Sequence, residues 1–97
     1  MITRIVRMTF DPKQTESFIN QFIEVRPRIL EMKGCMDVEL FHDSKYPNIM
    51  TTISKWSSED DLNNYRHSDL FTNTWRKTKA MFCAKPIAQS YYHIKSH

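Results

Sequence analysis

Residues 35–56 read Cys35-Met36-Asp37-Val38-Glu39-Leu40-Phe41-His42-Asp43-Ser44-Lys45-Tyr46-Pro47-Asn48-Ile49-Met50-Thr51-Thr52-Ile53-Ser54-Lys55-Trp56. From Cys35 to Asp43 apolar and polar residues alternate. Met36, Val38 and Leu40 share one face, the period-two pattern of a half-buried strand. Asp43 to Asn48, with Pro47 inside it, is turn chemistry. Ile49 to Trp56 is a second strand, rich in β-branched residues. Two strands in succession, flanked on both sides by helical patterns, set the frame for the rest of the chain.

Toward the N-terminus, Phe18, Phe22, Val25, Ile29 and Met32 recur at alternating spacings of four and three, a helical stripe that Ile19, Ile23 and Leu30 widen. Asp11-Pro12 supplies an N-cap and a proline at the first helical position. Gly34 ends the helix as a left-handed C-cap. Pro27 lacks an N–H and disfavours the α conformation at Arg26, which predicts a kink or break there. Before the helix, Ile2 to Phe10 alternates, with Val6, Met8 and Phe10 on one face and Ile5 among polar residues on the other. Toward the C-terminus, Ser57 or Ser58 caps a short helix whose first turn holds Glu59, Asp60 and Asp61, where acidic charge suits the helix dipole. Ser68 caps another helix, lined on one side by Leu70, Phe71, Trp75, Thr78 and Phe82. Pro86 starts a last strand through Tyr91, Tyr92 and Ile94. The order is strand, helix, strand, strand, helix pair, strand. It specifies a ferredoxin-like α+β fold, a four-stranded antiparallel sheet with helices on one face. Ile5, Phe41, Trp56 and one of Tyr91 or Tyr92 are expected to make the other face partly apolar, as a partner surface would be.

The chain has 97 residues, which fits a single domain over residues 1–97. Gly34 is its one glycine. A dinucleotide-binding fingerprint, a Walker loop and a nucleophile elbow each need at least two, so all are excluded. The net charge of +3 is mild. Its loosest grouping, Arg76, Lys77, Lys79 and Lys85, reads as a solvated helix face. The strand Ile49–Trp56 lacks the glycine and aromatics of an RNA-stacking surface, so no nucleic-acid partner is expected. No apolar run reaches transmembrane length, and Arg4 and Arg7 interrupt the only candidate signal segment; a cytoplasmic, membrane-free protein is expected. Cys35 and Cys83 form no C-x-x-C and read as buried thiols.

His42, His67, His93 and His97 fall in different elements with no metal-ligand spacing, so no metal site is expected. Asp37 and Glu39 share a strand face and read as rim salt-bridge partners before an acid–base pair. A cluster remains around the helix pair: Trp56, Tyr65, Arg66, His67, Phe71 and Trp75. Trp56, Phe71 and Trp75 serve equally well as plain core or as walls of an apolar pocket. The pocket reading adds a few polar tips, namely the Tyr65 hydroxyl, the Trp75 indole N–H, His67 and Arg66, and suits a flat aromatic ligand.

The run Gly34-Cys35, Pro47, Trp56-Ser57-Ser58-Glu59, Leu62, Ser68, Phe71 and Trp75 resembles the antibiotic-biosynthesis monooxygenase family in order and spacing. The resemblance implies a dimeric α+β barrel, a homodimer joined through its sheet faces. It also implies oxygenation of a small electron-rich aromatic, a quinol or polyketide-like phenol, by O2 without metal, flavin or other cofactor. Phe22, Trp56, Phe71 and Trp75 would hold the ring, with Arg66 beside it. His67 would take the phenolic proton, and Tyr65 would donate to the developing anion. Many members carry histidine where this chain has Tyr65, and often a second at Leu70. The asparagine, tryptophan and haem-ligating histidine of the haem-degrading branch fall at Val6, Tyr65 and Trp75, which argues against haem degradation. The alternative is a non-catalytic small-molecule-binding or stress-response protein on the same scaffold.

Overall fold

A computed structural model describes residues 1–94; His97, among the histidines weighed above, lies outside the described residues. Strand β1 (Ile2–Thr9) leads through a 3-10 turn (Pro12–Gln14) into helix α1 (Thr15–Leu30). Strands β2 (Cys35–His42) and β3 (Ile49–Trp56) follow, then helices α2 (Glu59–Arg66) and α3 (Asp69–Lys79), and strand β4 (Ile87–Tyr92). The four strands lie in the order β2-β3-β1-β4, each antiparallel to its neighbours. This is the ferredoxin-like arrangement that the element order specifies.

The capping residues act as their chemistry dictates. The Asp11 carboxylate accepts from Lys13 N, Ser58 Oγ from Asp61 N and Ser68 Oγ from Phe71 N. Each satisfies a backbone donor that the helix start leaves free. Asp43 holds the β2–β3 turn by accepting from the backbone N–H of Lys45 and Tyr46.

Register fixes the two faces of the sheet. Ile2 pairs with Trp56, Met8 with Met50 and Ile5 with Ile53. Ile2, Met8, Met50 and Trp56 are buried under the helices. Ile5 and Ile53 therefore stand at the centre of the opposite face, with Phe41, Ile87 and Tyr91 around them. Trp56, expected on that open face, is instead 0% exposed on the helix side because it shares the parity of Ile2. Of the two terminal tyrosines, Tyr91 joins the open face; Tyr92, opposite Ile2, donates its hydroxyl to Glu59 on α2. Ile94 lies beyond the last strand and is exposed.

Four further expectations are corrected. Met36 does not share the face of Val38 and Leu40: the β2–β3 register shifts between Cys35 and Asp37, so Met36 is the extra residue of a bulge and lies exposed. Helix α1 continues through Pro27 and ends at Leu30. Pro27 and Ile23 are both exposed, so the missing bond to the Ile23 carbonyl falls on the solvent side of the helix rather than in the core. That outward position also means Ile23 does not widen the core stripe. Cys83 is exposed rather than buried, while Cys35 is half-buried; both are free thiols. Asp37 and Glu39 take the rim role: Arg26 Nη2 lies 3.6 Å from Asp37 and 3.2 Å from Glu39, while its Nε donates to Val38 O at 2.7 Å. That last bond covers part of the free edge of β2.

Gly34 sits in the turn between α1 and β2 at φ 81°. Its carbonyl accepts from Ser57 N at 2.8 Å, which ties the turn to the start of α2. A Cβ at Gly34 would run into the Asp61 side chain. Gly34→Ala thus combines left-handed strain of about 1–2 kcal/mol with a steric conflict. We expect its melting temperature, followed by circular dichroism, to fall by about 10 °C. Asp61→Ala in the same chain should restore only part of that loss, since it relieves the contact and not the backbone strain. An unchanged melting temperature for Gly34→Ala would refute this account of the turn.

Candidate functional site

The core is divided. One cluster consists of Ile2, Ile29, Val38, Trp56 and Leu62; the other of Met8, Phe10, Phe18 and Met50. Phe22, on α1, packs against both. Between them, under the helices, lies a cavity of about 310 Å³. Helix spacing explains the gap. Phe18, Phe22, Val25 and Ile29 line it from α1, and Trp56, Ser54 and Thr52 from alternate positions of β3. At Ser54 and Thr52 the strand offers small side chains where large apolar ones would close the core.

Helices α2 and α3 supply the remaining wall. Tyr65 stacks on Trp56 with ring centroids 4.9 Å apart, and Phe71 meets Tyr65 edge-on at 5.2 Å. Trp75 stacks on Phe71 at 5.8 Å. Sequence spacing across the helix break could not decide whether Tyr65 and Trp75 meet; Phe71 is the ring that joins them, and all three line the cavity. Phe22, Trp56, Tyr65, Arg66, Phe71 and Trp75 are thus brought to one space. His67 is not. It lies exposed just after α2, its Nδ1–H donating to Asn63 O at 2.7 Å, where it helps to cap the helix.

The polar atoms in the cavity differ in what they can still do. Gln21 Nε2 donates to Thr78 Oγ1, which in turn donates to Thr74 O. The Trp56 indole N–H is spent on Ser54 Oγ at 3.0 Å. Among the described residues, the Tyr65 hydroxyl and the Trp75 indole N–H have no protein partner, and neither is sealed from solvent. Burial pushes the Tyr65 phenol well above its ordinary pKa, and the nearby Cys35 adds in the same direction. At neutral pH Tyr65 is therefore a hydrogen-bond donor and not a base. Burial likewise pushes up the Cys35 thiol, which stays protonated.

Arg4 is the site residue that sequence reasoning missed. It lines the cavity from β1 and donates to Ser90 Oγ on β4 at 3.1 Å. The signal was present: Arg4 has the parity of Val6 and Met8, whose inward face was read correctly. A charged residue was simply not followed along that face. Among the described residues, no three His, Cys, Asp or Glu side chains gather into a metal-ligating group.

The model of the antibiotic biosynthesis monooxygenase family matches residues 1–77. No curated protein has a matching sequence. Solved structures share the fold at low identity. A crystal structure of an antibiotic biosynthesis monooxygenase aligns at 17% identity with a TM-score of 0.90, over 98% of this chain and 100% of that one. A conserved protein from Methanosarcina mazei aligns at 21% identity with a TM-score of 0.87, over 94% of this chain and 91% of its own. A protein from Mycobacterium tuberculosis aligns at 12% identity with a TM-score of 0.89, over 98% and 96%. The family match runs from the first strand into α3 and takes in β1, α1, β2, β3 and α2, so the chain belongs to the antibiotic biosynthesis monooxygenase family.

Proposed function

We propose that the protein binds a small electron-rich aromatic, a quinol or polyketide-like phenol, in the cavity between sheet and helices and oxygenates it with O2. The observation that carries this reading is the cavity wall: Phe22, Trp56, Tyr65, Phe71 and Trp75 surround a space of about 310 Å³ that has few free polar tips. Flat rings fit between flat rings, and a few donors fix their orientation.

The chemistry assigned to the protein is limited. Triplet oxygen accepts an electron from an ionised phenol far more readily than from the neutral ring. The resulting radicals combine at a ring carbon as a hydroperoxide. Loss of water then leaves a carbonyl, so one oxygen atom is retained and the other departs as water. In this scheme the Tyr65 hydroxyl donates to the ring oxygen as it becomes anionic, Arg66 adds positive potential, and the aromatic wall keeps water from the intermediate. His67, held on the outside by Asn63, is out of reach of the ring, so the phenolic proton passes to solvent.

A second reading has its own support. The titratable side chains lining the cavity are Arg4, Tyr65 and Arg66, none of them a base at neutral pH. That set suits a binding protein as well as an enzyme. Oxygen uptake over a panel of quinols separates the two. For whichever quinol the wild type oxidises, Tyr65→Phe should slow turnover about a hundredfold while keeping its ring stack, and His67→Ala should stay within twofold. The opposite pattern would make His67 the base. No uptake with any quinol would leave ligand binding as the function.

The open sheet face supports a homodimer joined face to face, with Ile5 and Ile53 at its centre and Phe41, Ile87 and Tyr91 around them. No helix among the described residues is long and apolar enough to cross a membrane, and the two free thiols suit a cytoplasmic setting. Light scattering at micromolar concentration should give twice the chain mass of 11.7 kDa, and Ile53→Lys should give the single-chain mass. A wild type that runs as a monomer would overturn the dimer.

A further inference from the structure

Arg4 and Arg66 both line the cavity, the first from β1 and the second from the end of α2. Among the described residues, carboxylate partners belong to Arg26 alone; neither cavity arginine has one. Arg4 is half-buried, and its one protein contact of this kind is the neutral Ser90 hydroxyl. Burial first, and then the charge of Arg66, pull the Arg4 guanidinium below its ordinary pKa, so the two groups feel each other across the space they share. Two guanidinium forks beside an apolar chamber, with no anion of the protein between them, are poorly compensated until something negative arrives.

We infer that Arg4 and Arg66 form an anion subsite at the open end of the cavity, and that the ligand is an aromatic carboxylate whose ring enters the chamber while its carboxylate spans the two guanidiniums. The inference rests on the cavity reading above and narrows the ligand class within it. Placement supports the orientation. Arg66 is exposed, and Ala88, which lines the cavity from β4, is exposed too, so the chamber opens on this side. The Trp56, Tyr65, Phe71 and Trp75 rings, each in contact with the next, make the apolar wall that would take the ligand ring. A carboxylate is favoured over a phenolate because it is ionised at neutral pH without cost: carboxyl groups titrate near about 4, phenols near about 10. It also offers two oxygens to two forks.

The test compares 2-naphthoate with 2-naphthol, which is uncharged at pH 7, by isothermal titration calorimetry of the full chain. The wild type should bind 2-naphthoate at least tenfold more tightly. Arg4→Gln and Arg66→Gln should each weaken 2-naphthoate about tenfold and leave 2-naphthol within twofold. Added salt should weaken 2-naphthoate alone. Equal affinity of the two ligands for the wild type, or equal weakening of both by the arginine substitutions, overturns the anion subsite while the cavity reading stands. If neither ligand binds, the cavity reading falls and the subsite with it.

Discussion

A chain of ring contacts holds the protein together. It runs from Trp56 through Tyr65, Phe71, Trp75, Phe82 and Phe10 to Phe18, with successive centroids 4.3–5.8 Å apart. Its two ends lie in different core clusters. A domain of this size would ordinarily fill its centre with branched aliphatic side chains. Here rigid rings bridge the clusters along one side and leave the middle unfilled. The cavity therefore follows from how the core is built: Trp56, Tyr65, Phe71, Trp75 and Phe18 of this series are also part of its wall.

Such a space is expensive in stability. A sealed, dry void of 310 Å³ would cost about 7 kcal/mol, comparable to the whole stability of a small domain. Two features moderate that cost. The opening beside Arg66 and Ala88 admits solvent, so the space need not be an empty one. The polar groups that occupy its far wall satisfy one another, as in the bonds from Gln21 to Thr78 and from Thr78 to the Thr74 carbonyl. Among the described residues, the Tyr65 hydroxyl and the Trp75 N–H have no protein partner, and the two guanidiniums have no carboxylate. A chamber that retains free donors is arranged for a ligand that accepts hydrogen bonds.

Local chemistry made most of the fold legible in the sequence. Asp11, the Ser57-Ser58 pair and Ser68 each announce a helix start because a side-chain oxygen there can accept from a backbone N–H that the first turn leaves free. Alternation identified both faces of β1 correctly. The readings that failed depend on partners that no single segment reveals. Trp56 looks like a strand-end residue of either face until Ile2 is set opposite it. Met36 follows the alternation perfectly, yet a bulge whose cause lies in pairing with β3 turns it outward. Pro27 breaks a helix in isolation, but here its missing bond falls on the wet side of α1. The site was legible as a set of residue types, since the rings drawn from β3, α2 and α3 do converge. Its charged end was not, because an arginine at an inward strand position looks like an interruption and becomes informative only when Arg66, from another element, arrives beside it.

The convergence depends on Gly34. Its turn holds the start of α2 through the bond from Ser57 N, and Asp61 packs over the glycine itself. Ser58 then fixes the first turn of α2, and from that cap Leu62 and Tyr65 point to the sheet one turn apart. A shift of one residue at the cap would rotate every later side chain by about 100°, carrying Tyr65 off Trp56 and moving Arg66 away from the cavity mouth. The aromatic wall and the cationic end thus share one origin. A single residue able to adopt φ 81°, placed where a side chain of any size would strike α2, sets the phase of the helix that carries both Tyr65 and Arg66. The chain's one glycine thus stands where both φ 81° and the nearness of Asp61 disfavour a side chain.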